Sequence, residues 1–342
     1  MLRIIAQSLD TVEDMRAALQ NAIALEHATI PPYLTAVATL SGTSESVQYA
    51  RDEITEVVVE EMLHMTLACN VLNAIGGHPL IADTAFVPSY PGPLPMGIGG
   101  DLIVHLRRYS KALVEDTFMK IEEPETILDI PERPGLDAVA GESITIGEFY
   151  AGIRAGLENH PEWFTGDPKL QVSGHFTDNF AVTNVETALL AINTIVEQGE
   201  GTSKSPLDLQ HDVAHYYSFQ QFSKGIRIVH DESSGFTVSF DPQQPITIDD
   251  MADVIQMVDD PQTVTYDPAD HHAEELSNQA DASYSKVLKG LQPAFNGEPT
   301  KVGSAVGAMF EFESIVDDLL HQRLTAGPHA GLFPGPRFRF VP

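Results

Sequence analysis

Hydrophobic and polar positions alternate along this chain with a helical period, and two stretches carry the pattern furthest. From Glu56 to Gly76 the sequence reads EVVVEEMLHMTLACNVLNAIG, with Val57, Glu61, His64, Ala68 and Val71 on one helix face. That face is apolar except at its middle, where a carboxylate and an imidazole stand three residues apart. Residues 10 to 40 repeat the theme: Leu19, Ala22, Glu26, Ile30 and Tyr33 share a face on which Glu26 is the lone acid. Pro31 and Pro32 remove backbone donors inside this pattern, so a kink is expected there. Ser41-Gly42 closes the first helix, and Ser44 or Ser46 can cap the second, which runs from about 46 to 75. The two form an antiparallel hairpin about residue 43. Glu26 lies 17 residues before that point, and Glu61 and His64 lie 18 and 21 after it, so the three reach a similar height.

Beyond Gly76-Gly77 the pattern breaks. Residues 79 to 101 are punctuated by Pro and Gly and predict no regular structure. LIVHLRR (102–108) predicts a short strand, Ser110 to Ile121 a short helix, and 122 to 144 an acidic, Pro-rich loop. Thr145-Ile-Gly-Glu148 has capping-box form and opens a helix to about Asn159; 160 to 177 is irregular again. A third long helix is predicted over 178–199, with Glu186, Leu190, Asn193 and Glu197 on one face, and a fourth over 206–225, with Asp212, His215, Phe219 and Phe222 inward. IRIVH and FTVSF around Glu-Ser-Ser-Gly predict a hairpin, Asp250 to Val258 a short helix, and 270–291 and 302–324 two more helices. The expected architecture is mainly α: one domain over 1–342, a four-helix bundle with an insertion at 79–177 and an extension at 226–342.

Composition narrows the partners. A hydrophobic content of 43% supports a substantial core. The net charge of −30, from 19 basic against 49 acidic residues, argues against nucleic acid and against an anionic membrane surface. No run of 18 apolar residues occurs, and the opening MLRIIAQSLDTVEDM lacks a signal-peptide pattern, so a cytoplasmic location is expected. The single cysteine, Cys69, excludes a disulfide framework.

The chemistry lies in the isolated polar groups on the inward faces. Residues i and i+3 of a helix stand one above the other, so Glu61 and His64 can reach one ion without backbone strain. Asp212-x-x-His215 repeats the arrangement, and a Glu from each of the other two helices completes the ligand pattern of di-iron or di-manganese bundles. Carboxylates with one imidazole per metal suit Fe(II) and Mn(II) and leave positions open for dioxygen. The expected ligands are Glu26, Glu61, His64, Asp212 and His215, with one glutamate of the third helix. On the third helix Glu186, Glu197 and Glu200 are all open to this role, while Glu60 competes with Glu61, and His211 shares an edge with His215. Two iron ions are expected, with manganese or a mixed pair as the alternative. The long irregular segments exceed what iron storage needs and point to a small-molecule substrate beside dioxygen. The oligomeric state is left open, a homodimer being one arrangement.

Longer motifs carry a resemblance. LEHATIPPYL, EEMLHM-x-LACNVLNAIGGHP, YPGPLPMGIGGDLIVHLRRYSK, IEEPE, TIGEFY, IVEQGEGT, HYYSFQQF, FNGEP, AVGAMF and GPRF together resemble the bacterial ferritin-like family labelled iminophenyl-pyruvate dimer synthase, over about 10–340. The resemblance implies a ferritin-like four-helix bundle and a di-iron oxidase or oxygenase of specialised metabolism, acting on a small amine or aromatic amino-acid derivative. Carried over residue by residue, it points to Glu26, Glu61, His64, Glu197 and His215, with Glu200 in the same segment, and favours Glu197 over Glu186. The chain has Asp212 where Glu is expected.

Overall fold

The computed structural model describes residues 9–124, 127, 128, 130, 145–174, 180–201, 205–208, 210–231 and 237–342. Most of the acidic loop expected at 122–144, the turn of the hairpin at 232–236, the start of the expected third helix at 178–179 and the chain start read for a signal peptide lie outside the described residues.

Helices α1 (Val12–Thr39) and α2 (Glu45–Ala74) form the antiparallel hairpin. Thr11 caps α1 by accepting from Asp14 N at 3.1 Å, and Glu13 and Asp14 place negative charge at the positive end of the dipole. Ser44, rather than Ser46, caps α2. Pro31 and Pro32 sit inside α1 without ending it. Proline at 32 deprives the Ala28 carbonyl of its helical donor. The Tyr90 hydroxyl supplies one instead, at 2.7 Å, from the segment after α2. Leu19, Ile23, Ile54 and Val71 are buried completely or nearly so between the helices. Each stabilises the fold by roughly 1.5–3 kcal/mol relative to exposure.

The segment after α2 holds a two-residue ladder, β1 (Gly92–Pro93) with β2 (Ile103–Val104), so the strand expected over 102–108 is much shorter than predicted. Ser110 caps one short helical stretch: α3 (Lys111–Leu113), a π-turn (Val114–Phe118) and α4 (Met119–Ile121). Helix α5 (Ile146–Asn159) opens on the predicted Thr145–Glu148 capping box. Helix α6 (Val185–Glu200) starts at the Asn184 cap, later than expected, and packs on α2 and α5.

The fourth helix differs most from expectation. Helix α7 covers only His215–Lys224, with Ala214 as its N-cap. The described residues between 206 and 214 are instead non-helical, and the Asp208 carboxylate accepts from Gln210 N at 2.8 Å and Asp212 N at 2.9 Å. An aspartate that bonds backbone amides two and four residues on stabilises a turn in competition with helix. Asp212 and His215 are therefore not one turn apart on a helix, and His211 takes a positive φ of 72° and is exposed.

Strands β3 (Ile226–Asp231) and β4 (Thr237–Pro245) make the expected hairpin, with a register shift between Ile226 and Ile228. The short helix expected over 250–258 is absent; that stretch carries isolated bridges, Leu40 to Val254 and Met257 to Phe333. Its Asp253 carbonyl accepts from Ser41 N at 2.8 Å and so ties down the α1–α2 turn. Helices α8 (His271–Ala294) and α9 (Val302–Leu320) pack on each other and, through α9, on α1. The tail is pinned by Arg337, whose Nη2 donates to the buried Asp281 at 2.7 Å. Among the described residues, no helix is long and apolar enough to cross a membrane.

Candidate metal centre

Five titratable side chains meet in the core where α1, α2, the end of α4 and the start of α7 converge. Glu26, Glu61, His64, Glu122 and His215 are each at most 3% exposed. They form two sets that share one carboxylate: Glu26, Glu61 and His64 in one, Glu61, Glu122 and His215 in the other. Within each set the ligand atoms lie within 4.8 Å of one another. His64 Nδ1 is 3.5 Å from Glu26 and 3.6 Å from Glu61. His215 Nδ1 is 3.0 Å from Glu61 and 3.5 Å from Glu122. The rings stand nearly parallel, with centroids 5.5 Å apart.

The far ends of the carboxylates are held too. Tyr150 donates to Glu26 at 2.6 Å, Thr29 donates to Glu61 at 2.6 Å, and Tyr33 donates to Glu122. Behind the imidazoles, His64 Nε2 lies 2.9 Å from Gln198 Oε1, and His215 Nε2 lies 2.8 Å from Glu60 Oε2.

The hairpin delivers Glu26, Glu61 and His64 to one place as their matched heights predicted. His215 reaches the same place from the first residue of α7. The remaining expected positions stand elsewhere. Glu186 is exposed in the first turn of α6. Glu197 is half-buried, belongs to neither set, and keeps a buried Oε2 that has no hydrogen-bond partner among the described residues, near Asp208 and Arg154. The face of α6 turned toward the centre carries Ile195, Val196, Gly199 and Glu200. Of the three glutamates it is therefore Glu200 that borders the site. Its Oε1 accepts from Gly147 N at 2.7 Å, an approach that any Cβ at 147 would block, since it would lie 2.7 Å from Oε2. Asp212 is exposed and outside both sets, because the loop that precedes α7 turns it away. His211 is exposed as well, and Glu60 stands behind His215 rather than among the facing ligand atoms.

Glu122 was missed by sequence reasoning, which assigned it to a loop. A signal was present: Val114, Phe118 and Glu122 recur every fourth residue, and all three are buried. The same stripe logic that picked out Glu26 applies. It was hidden because the helix is short and ends one residue earlier, at Ile121.

The electrostatics of the cluster are compatible with bound cations. Three carboxylates are buried together, and among the described residues no Lys or Arg lines the small space beside them. Burial pushes Glu26 and Glu122 above the usual carboxylate range, with the charge of Glu61 adding to both. Glu61 is driven the other way: its burial is outweighed by His215 and His64. Burial disfavours a charged His64, but hydrogen bonds and charge from Glu26 and Glu61 lift it to about 10. His215 is likewise raised, by Glu122, Glu60 and Glu61 against burial. A buried acid cluster is tolerated only when compensated. Protons on the imidazoles provide such compensation, and metal cations held by the same donors would provide it as well. Oxygen donors with one imidazole in each set, and a buried His215 Nδ1 that faces Glu61 and Glu122, fit such ions.

The sign of the pH dependence follows. His64 is raised from 6.5 to about 10, so its favourable charge is fully present below the lower value and lost as pH rises through the upper one. To bind a metal it must give up that proton. Metal uptake is therefore expected to strengthen as pH rises from about 6.5 toward about 10 and to release protons. Equilibrium dialysis with Mn(II), and calorimetry in buffers of different ionisation enthalpy, read this directly; pH-independent uptake would remove both imidazoles from the ligand set.

Comparison with known proteins bears on the fold and the family. No curated protein matches the chain. A solved structure described as a ferritin-like protein from Caulobacter vibrioides superposes with a TM-score of 0.63 at 23% identity, covering 95% of this chain and 98% of that one. At that identity the likeness shows the fold. Residues 19–224, more than half of the chain and the span that holds all five clustered side chains, match the ferritin-like family, and the chain belongs to that family.

Proposed function

We propose that this protein is a binuclear-metal oxidoreductase that uses dioxygen to oxidise a small amine or aromatic amino-acid derivative, the activity implied by the resemblance to the iminophenyl-pyruvate dimer synthases. The observation that carries the reading is the sharing of Glu61 between two buried carboxylate–imidazole sets. Glu26, Glu61 and His64 would hold one ion, and Glu61, Glu122 and His215 the other. A redox-active pair, when bound, supplies the electrons that dioxygen chemistry requires.

The chain's own groups define the rest. Tyr33, Tyr150 and Thr29 fix the carboxylates by donating to them, which leaves their other oxygens free to face an ion. Ile146, Ile195 and Val196 give the small space beside the ligands an apolar side. The insertion between α2 and α6 contributes both Glu122 and Tyr150, so it builds the centre.

One observation favours a second reading, metal handling by iron oxidation or peroxide removal without an organic substrate. The space beside the ligands is only about 10 Å³. The larger neighbouring cavity, about 230 Å³, is lined by Glu53, Glu56, Glu60, Asp208 and Asp212 and is polar rather than apolar. Oxygen uptake separates the two. Protein loaded anaerobically with Fe(II) and then given oxygen is expected to consume it faster when a suitable amine is present. Full-rate iron oxidation with no response to any amine or amino acid tried would establish the second reading instead. Protein isolated and reconstituted without any bound metal would overturn both.

A further inference from the structure

The two imidazoles are not supported alike, and both supports end on one residue. Glu60 lies next in sequence to Glu61, but on the other side of His215. An ionised carboxylate only accepts hydrogen bonds. Gln198 therefore turns its amide nitrogen toward Glu60, at 3.3 Å from Oε1. That orientation leaves Gln198 Oε1 facing His64 Nε2, so Nε2 must carry the hydrogen. His215 Nε2 faces Glu60 Oε2 directly and must carry its hydrogen for the same reason. In both rings the Nδ1 atom is thereby the one presented to the carboxylate cluster.

We infer that Glu60 is a positioning residue that fixes the tautomer of both histidines and makes the two halves of the centre unequal, the half with Glu122 and His215 holding its ion more tightly than the half with Glu26 and His64. The inference rests on the metal-binding reading above. Its physical basis is that a carboxylate hydrogen-bonded to the far nitrogen of an imidazole raises its basicity as a ligand more than a neutral amide does. His215 has the carboxylate, whereas His64 has the amide and meets the carboxylate only at one remove. The acidic cavity increases the contrast, because Glu53, Glu56, Asp208 and Asp212 line the space outside Glu60 and no cation there neutralises it among the lining residues.

Replacing Glu60 by Gln makes the logic testable. Glutamine offers one acceptor where glutamate offered two, yet two donors, the His215 ring and the Gln198 amide, converge on it. One of them must then face a second donor or flip. Calorimetric titration of the metal-free full-length protein with Zn(II) is expected to show two steps at least about tenfold apart in affinity in the wild type. In Glu60→Gln the tighter step should weaken by about 10- to 100-fold. In Gln198→Leu, which removes the support of His64 and leaves the contact between Glu60 and His215, the weaker step should fall by more than the tighter one. Imidazole nitrogen NMR of the zinc-loaded wild type should find the hydrogen on Nε2 in both rings, a readout that a merely structural role for Glu60 would not predict. Circular dichroism melting confirms that both variants fold. Two equal steps in the wild type, Glu60→Gln binding unchanged, or an Nδ1 hydrogen on either ring would overturn the inference while leaving the metal site in place. No zinc bound by the wild type at all would overturn both the inference and the reading beneath it.

Discussion

Replacing Glu61 by Ala should abolish stable binding of both metal ions, where the loss of any other single ligand should weaken one. Glu61 is the carboxylate common to both sets, with one oxygen 3.0 Å from His215 Nδ1 and 3.6 Å from His64 Nδ1. Even residues that only support a ligand change metal affinity by about 10- to 100-fold, so loss of a shared ligand should reach or exceed the upper end of that range for each ion. Elemental analysis after reconstitution with Fe(II) or Mn(II) and desalting is the direct measurement. The substitution should also destabilise the metal-free protein. It leaves two buried imidazoles, both pushed toward the charged form, with less negative charge to balance them. Removing one partner of a buried ion pair costs on the order of 3–5 kcal/mol. Glu61→Gln keeps the shape and should isolate the charge effect. A Glu61→Ala protein that retained both ions would place the metal elsewhere.

The second large effect separates the centre built by the fold from the ligand set expected from the sequence. Glu122→Gln should lose one of the two ions, because Glu122 belongs only to the set with His215. Glu197→Gln and Asp212→Asn should keep both, since neither side chain belongs to a set and Asp212 is exposed. The expected contrast in the affinity of the second ion is about 100-fold, set again by the weight of a ligand against that of its surroundings. Elemental analysis of the three variants side by side decides it. Two ions bound by Glu122→Gln together with one by Glu197→Gln would restore the third-helix glutamate and displace Glu122.

The contrast shows why one half of the centre was legible and the other was not. Glu26, Glu61 and His64 lie on two long continuous helices joined by a short turn. On such elements, distance along the chain converts to height, and residue number converts to face. The isolated acids in apolar stripes therefore marked their own meeting point. His215 was identified from an apparent Asp-x-x-His on a helix, and its ring does lie against Glu61 and Glu122, but the spacing to Asp212 had no bearing on this. Asp208 had already captured the backbone amides of Gln210 and Asp212 and delayed the helix to His215. Competition between an aspartate side chain and the helical hydrogen bond is settled by a few kcal/mol of local geometry and packing, which periodicity does not register.

Glu122 and Glu200 show the same boundary from the other direction. Both sit at helix ends, where the direction of a side chain depends on how the chain leaves the helix, and both meet residues far away in sequence, Tyr33 for Glu122 and Gly147 for Glu200. The support of Ala28 by Tyr90, which lets α1 pass two prolines, is another contact of this kind.

By itself the sequence determined that the protein is mainly helical, that α1 and α2 pair as a hairpin, and that Glu26, Glu61 and His64 converge within it, because helical period and turn position are properties of neighbouring residues. Only the tertiary structure decided that Glu122 joins the cluster while Glu197 and Asp212 stay outside, and that Glu60 and Gln198 back the two imidazoles. Those outcomes depend on where chain ends and short helices dock against distant surfaces, and the free energy of that docking comes from contacts that no local pattern records.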